Sequence, residues 1–150
     1  MEKLRLLLIE EEAQDYLRVR RVLDDEFGKF NIDWAPNYDS ASKLLRKNSY
    51  DLQLIGYYPR QSEQQKFLVQ LYPTITIPTI FLTKNNEKVS NTWLDKTDFL
   101  SKEHFSWPLL ERAIRYLAKI LALQQVEKKF RVIYDNAFEF IGLVNTKGIL

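Results

Sequence analysis

A doubly wound α/β fold, a five-stranded parallel sheet with helices on both faces, is predicted by three features of this 150-residue chain. Short apolar runs alternate with segments of helical spacing, as successive β–α units require. Several of the runs are apolar on both faces, as parallel strands buried between helix layers must be. Length and composition fit one ordinary domain, with 45% hydrophobic and 28% charged residues.

The elements follow in order. Leu4 to Ile9 is apolar after its first residues and stops at three carboxylates, a buried strand end. From Ala13 to Phe27, Tyr16, Val19, Leu23 and Phe27 recur three or four apart, a helix with Arg18, Arg20 and Arg21 on its solvated side. Phe30 to Ala35 alternates as a second strand, and Ser40 to Lys47 gives a short helix with Ala41, Leu44 and Leu45 inward. Asp51 to Gly56 is the third strand, and Phe67, Leu68 and Leu71 mark the third helix. Ile77 to Thr83 is the fourth strand, with Pro78 near its entry, where a missing N–H is tolerated. Glu87 to Lys96 reads as a weak helix interrupted by Asn, Ser and Thr, and Phe99 to Ser101 as a short fifth strand.

Ser106 is placed to cap a long final helix with Pro108 in its first turn. Between Leu109 and Leu123 eleven of fifteen residues are apolar, more than a helix covering one sheet face needs. One stripe is therefore expected on the sheet and a second is left for another partner. Leu110, Ile114, Leu117 and Leu121 are spaced four, three and four, which suits either plain core or a coiled-coil seam joining two copies.

Composition excludes several functions. With no cysteine there is no disulfide, thiol nucleophile or Cys-ligated metal, and the single histidine, His104, provides no His cluster. A net charge of +2 and no reading-head motif argue against nucleic acid, although Arg18, Arg20 and Arg21 form a small basic patch. No segment approaches the about eighteen apolar residues of a membrane span, and Leu6 to Ile9 is too short for a signal-peptide core. The expected setting is cytoplasmic.

In such sheets the working crevice lies at the carboxyl ends of the strands. The rim holds Glu10, Glu11 and Glu12; Gly56; Thr83 and Lys84; and Ser101 and Lys102. Three carboxylates after the first strand repel phosphate, so a nucleotide or flavin cradle is a poor fit. The four glycines form no phosphate loop, and no G-x-S-x-G elbow exists.

An acidic pair after strand one, a hydroxyl ending strand four and a lysine after strand five form a recognisable set. In LLLIEEE (6–12), YDLQLIGYY (50–58), IPTIFLT (77–83), DFLSK (98–102) and LLERAIRY (109–116), the chain resembles the receiver domain of two-component response regulators. The resemblance spans residues 3 to about 122, and implies a flavodoxin-like topology with residues 1–122 as the receiver-like domain. It maps the metal-binding acidic pair onto Glu10 and Glu11, the phosphate-sensing hydroxyl onto Thr83, the switch aromatic onto Phe99 and the phosphate-pairing lysine onto Lys102. The position of the phosphorylated aspartate is Gly56.

That departure removes the nucleophile and one Mg²⁺ ligand. Glu10 and Glu11 are each one methylene longer than the usual aspartates, a displacement of roughly one carbon–carbon bond. Lys84 stands where a small residue is usual, and Glu103 where a proline is usual. The resemblance is thus to a receiver without phosphorelay chemistry, its vestigial site Glu10, Glu11, Gly56, Thr83 and Lys102. Metal affinity at Glu10 and Glu11 is weak or lost, and no cofactor is expected. Lys102 is expected to pair permanently with Glu10 or Glu11, Phe99 to be fixed core, and His104 to be exposed. Asp51 begins its strand, at the wrong end to replace the missing aspartate.

The final helix is expected to run as a linker over residues 107–133. KKFRVIYDNAF (128–138) resembles the opening of a PAS sensory domain, and residues 138–150 read as its first hairpin. Residues 134–150 would then be a PAS-like start cut short, since a lone hairpin does not hold itself together. The implied parent resembles hybrid sensor kinases or cyclic-di-GMP enzymes, and this chain carries no catalytic motif of those outputs. The expected function is a pseudo-receiver acting through dimerisation by the final helix, or through other signalling domains, upstream of a PAS and output domain. The rival is an active phosphorelay receiver that uses Glu10 or Glu11 as acceptor. A third reading is a ligand in the pocket vacated at residue 56.

Overall fold

The computed structural model describes residues 3–25, 29–84 and 87–124, apart from the Asn91 side chain. Five strands, β1 (Leu4–Ile9), β2 (Phe30–Ala35), β3 (Leu52–Gly56), β4 (Thr79–Thr83) and β5 (Thr97–Ser101), form one sheet. Its order is β2-β1-β3-β4-β5, and every pairing is parallel. This is the flavodoxin-like order, in which the chain reverses its direction of travel between β1 and β3.

Helices α1 (Ala13–Asp24), α2 (Tyr38–Lys47) and α3 (Ser62–Leu71) follow the first three strands. A final helix, α4, occupies 107–124. Two cores result, one on each face of the sheet. Leu6, Leu8, Leu52, Leu54, Ile80 and Leu82 meet Val19 and Leu23 of α1 and Leu110, Ala113 and Leu117 of α4. On the opposite face Leu7, Ile9, Ile55 and Phe81 meet Ala41 of α2 and Phe67, Leu68 and Leu71 of α3. Each fully buried Leu or Phe contributes about 1.5–3 kcal/mol of burial free energy. All five residues of β3 and of β4 are buried, as continuous apolar runs at the sheet centre require.

Local chemistry sets the boundaries. The Asn37 side chain accepts from Ser40 N at 2.8 Å and starts α2. Pro78 lies just before β4, so its missing N–H costs no ladder bond, while its carbonyl accepts from Gln53 N. Ser106 precedes α4 and its carbonyl accepts from Leu110 N, with Pro108 in the first turn.

The expected helix over Glu87 to Lys96 does not form. A single 3₁₀ turn, Asn91–Trp93, stands there, because Asn, Ser and Thr offer the backbone local side-chain bonds instead of a helical ladder. The Ser90 hydroxyl accepts from Thr92 N, one such bond. Val89 and Trp93 still reach the core. The expected linker beyond residue 124 and the PAS-like start at 134–150 lie outside the described residues.

Candidate functional site

The carboxyl ends of β1, β3, β4 and β5 converge on a group of buried charges. Glu10 leaves β1 with its backbone held on both sides: its N–H donates to the Ala35 carbonyl, and its own carbonyl accepts from Trp34 Nε1 at 2.8 Å. The carboxylate turns inward, 1% exposed. Lys102, 2% exposed, reaches it from the end of β5, with Nζ 2.9 Å from Glu10 Oε2. The same ammonium lies 3.0 Å from Asp15 Oδ2, in the first turn of α1. Tyr58, in the loop after β3, donates its hydroxyl to Glu10 Oε1 and lays its ring under the ammonium, 4.7 Å from the centroid.

Gly56 explains why these groups fit. A Cβ placed on residue 56 would stand 2.1 Å from Glu10 Oε2 and 2.8 Å from Glu10 Cδ. The space a side chain at this position would occupy is therefore filled by the carboxylate of Glu10. The extra methylene of glutamate carries it across from β1 to the end of β3. A buried glutamine braces that strand end: Gln64 Nε2 donates to the Gly56 carbonyl at 2.7 Å, and its Oε1 accepts from Tyr58 N at 2.6 Å.

A second lysine covers the mouth. Lys84 Nζ lies 2.8 Å from Glu12 Oε2 and 3.3 Å from Asp15 Oδ2. Burial by itself would push the Asp15 carboxyl up, but the hydrogen bonds and charges of Lys102 and Lys84 outweigh it and hold the group below its ordinary range. The Glu12 hydrogen bond, working against partial burial, holds the Lys84 ammonium above its ordinary value. Burial, and then the bond to Glu10, drive the Tyr58 phenol far above its usual range, so it stays a donor.

The residues singled out in the sequence divide. Glu10, Gly56 and Lys102 come together as one site. Glu11 does not: it is exposed and its Oε2 accepts from Gln61 Nε2. Neighbouring residues leaving a strand point to opposite sides, so the pairing of Lys102 falls to Glu10 and Asp15. Thr83 is buried at the end of β4, its hydroxyl directed to the Leu100 carbonyl at 3.4 Å. Phe99 is 45% exposed and is not fixed core: it stands on β5, the edge strand of the sheet, beyond which no further strand packs among the described residues. His104 is exposed, and Asp51 binds Arg5 N at the opposite end of the sheet.

Asp15 was missed. Its signal is that it stands four residues before Val19 and eight before Leu23, on the inward stripe of α1, a carboxylate where an apolar residue is expected. Tyr58 and Gln64 gave no signal beyond their residue types. The stripe read as a dimer seam also has another role. Leu110 and Leu117 are fully buried and Leu121 nearly so, while Ile114 packs at the core margin. This stripe covers the sheet of its own chain and is not free for a partner.

Divalent metal does not fit this arrangement. A Mg²⁺ site needs open carboxylate oxygens, whereas those of Glu10 and Asp15 face the ammonium groups of Lys102 and Lys84. Among the described residues no group of three His, Cys, Asp or Glu side chains is placed to hold a metal.

No family model matches the chain, and no curated protein matches it. Solved structures do. The N-terminal domain of a response regulator/sensory box/GGDEF three-domain protein from Carboxydothermus hydrogenoformans superposes with a TM-score of 0.59 at 15% identity, covering 82% of this chain and 98% of that one. A two-component response regulator from Clostridium difficile gives 0.61 at 19%, covering 78% and 97%. A CheY-like response regulator receiver domain protein from Methanospirillum hungatei gives 0.58 at 15%, covering 77% and 95%. The fold is that of a receiver domain. Within that receiver fold the crevice that Glu10 and Lys102 fill lies at the carboxyl ends of the strands, where α/β sheets of this kind place their ligands.

Tyr58→Phe leaves Glu10 Oε1 buried without its hydroxyl donor. A loss of about 1–3 kcal/mol in urea unfolding is expected, with the sheet's far-UV circular dichroism unchanged.

Proposed function

We propose that this chain is a two-component signalling module, a pseudo-receiver whose phosphorylation site is filled by its own Glu10, and which acts through protein interaction. One observation carries the reading: the Glu10 carboxylate occupies the space of a side chain at residue 56 and is ion-paired there to Lys102. A phosphoryl acceptor needs a carboxylate open to the donor and a cation to neutralise the incoming charge. Here the nearest carboxylate is buried, its partner lysine is already committed, and Lys84 covers the entrance.

The module is not an enzyme, takes no cofactor, and binds neither nucleic acid nor membrane. No described helix is long and apolar enough to cross a membrane, and a cytoplasmic setting suits a two-component partner. Its output is a PAS domain and a further effector that it regulates. The Carboxydothermus protein, described as response regulator, sensory box and GGDEF, supports that order of parts by analogy.

The test is incubation of the wild-type chain with a small-molecule phosphodonor and Mg²⁺, followed by intact mass. An unchanged mass is expected. Gain of a phosphoryl group would instead favour the active-phosphorelay reading, with peptide mapping beginning at Glu10 and Glu11.

A further inference from the structure

Strand β2 stands at one edge of the sheet, paired to β1 alone among the described residues. Leu4 N–H donates to the Lys29 carbonyl and Glu10 N–H to the Ala35 carbonyl, so the odd-numbered residues of β2 turn their backbone groups toward β1. Phe30, Ile32 and Trp34 therefore turn theirs to the open edge. Sheet edges are commonly blunted by lysine, proline, a bulge or a covering element. β2 has no lysine and no proline in its six residues, and its register with β1 is unbroken from Phe30 to Ala35. A cleft of about 680 Å³ borders Phe30, Asn31, Ile32 and Asp33, with Arg20 and Asp24 of α1 at its wall. Consecutive strand residues face alternate sides, so a space touching all four lies along the edge.

We infer that β2 pairs with β2 of a second copy, antiparallel about a two-fold axis at Ile32, joining the two sheets into one of ten strands. This pairing rests on the proposed interaction role and names a surface and a partner for it. The strand FNIDWA decides both partner and register, because it is complementary to its own reverse. With Ile32 opposite Ile32 of the second copy, the outward-facing residues form the hydrogen-bonded rungs, and Phe30 meets Trp34. All three lie on the α1 face, so these rungs carry its apolar margin across the junction. On the other face each Asn31 meets an Asp33 at the closer, non-hydrogen-bonded rung. Asn31 is exposed, and its amide donates where a carboxylate accepts. Asp33 Oδ2 accepts from the Tyr50 hydroxyl at 2.7 Å, which leaves Oδ1 for Asn31 of the second copy. The one charge on the strand thus meets an amide and not its own like.

The experiment is light scattering of the full chain at about 100 µM, where a Kd in the tens of micromolar leaves mostly dimer. Twice the chain mass of 17.9 kDa is expected. Asn31→Asp sets carboxylate against carboxylate at both of these rungs and should weaken the pair about tenfold or more, toward a single-chain mass. Its thermal unfolding midpoint should stay unchanged, because Asn31 is exposed. Asn31→Asp/Asp33→Asn exchanges amide and carboxylate and should restore the dimer, which a strand merely weakened by substitution would not do. Hydrogen exchange reads the backbone contact. The Ile32 and Trp34 amides should exchange about threefold more slowly at about 100 µM than at about 5 µM, following the shrinking monomer fraction. A single-chain mass for the wild type, or a dimer indifferent to Asn31→Asp, overturns the inference. So does a double variant no tighter than Asn31→Asp, or exchange at Ile32 and Trp34 that ignores concentration. No readout involves phosphoryl transfer, so failure here is distinct from failure of the pseudo-receiver reading.

Discussion

Gly56→Ala is expected to destabilise the protein by about 2–3 kcal/mol, although alanine normally stabilises relative to glycine within a strand. The new methyl would stand 2.1 Å from Glu10 Oε2. A surface carboxylate would swing away at little cost. Glu10 cannot, because Lys102 and Tyr58 hold its two oxygens and its backbone is tied to Ala35 and Trp34. Shortening residue 10 removes the conflict: in a Glu10→Asp background the cost of Gly56→Ala should fall below about 1 kcal/mol. A double-mutant cycle in urea then reads the coupling directly, about 1–3 kcal/mol for groups in contact. Additive effects would mean that the two residues do not share the space.

Lys102→Met is expected to cost more, about 3–5 kcal/mol, since it leaves Glu10 buried without its cation and Asp15 beside it with only the part-exposed Lys84. The pH dependence should also change sign. In the wild type the Asp15 carboxyl is held below its ordinary value of 3.8. A depressed carboxyl contributes stability above that value and loses it as pH falls through the lower folded value. Wild-type stability should therefore be level from neutral pH down to about 4 as far as this group is concerned, and fall below it. In Lys102→Met, acid relieves the repulsion of two buried carboxylates, so stability should rise from pH 7 to pH 5. Urea midpoints across that range check both curves. A variant with the wild-type profile would mean that Lys102 is not the groups' shared partner.

The sheet was legible because buried parallel strands write themselves as apolar runs. Leu6 to Ile9, Leu52 to Gly56 and Thr79 to Thr83 are each buried along their length. The segment 87–96 was not, because its Val89 and Trp93 reach the core from a turn as readily as from a helix. The stripe on α4 was misassigned for a similar reason. Leu110–Ile114–Leu117–Leu121 and Leu109–Tyr116–Ile120–Leu123 both follow helical spacings of three, four or seven, and a one-dimensional pattern does not say which faces the sheet.

At the site, the absent acceptor at Gly56 and the role of Lys102 as an ion-pair partner were readable from residue types. That Glu10 crosses to fill the gap was not, since side-chain reach depends on where β1 and β3 end relative to one another. Their register, Ile9 opposite Ile55, puts Glu10 beside Gly56. Asp15 was hidden among the polar residues that open α1.

The most direct measurement is intact mass after treatment with a small phosphodonor and Mg²⁺, comparing Gly56→Asp with Glu10→Asp/Gly56→Asp. The double variant restores an aspartate at residue 56 and withdraws the carboxylate that blocks it. The expected result is one phosphoryl group on the double variant and none on Gly56→Asp. A Gly56→Asp protein that gains phosphate as readily as the double variant would contradict the claim that Glu10 fills the site.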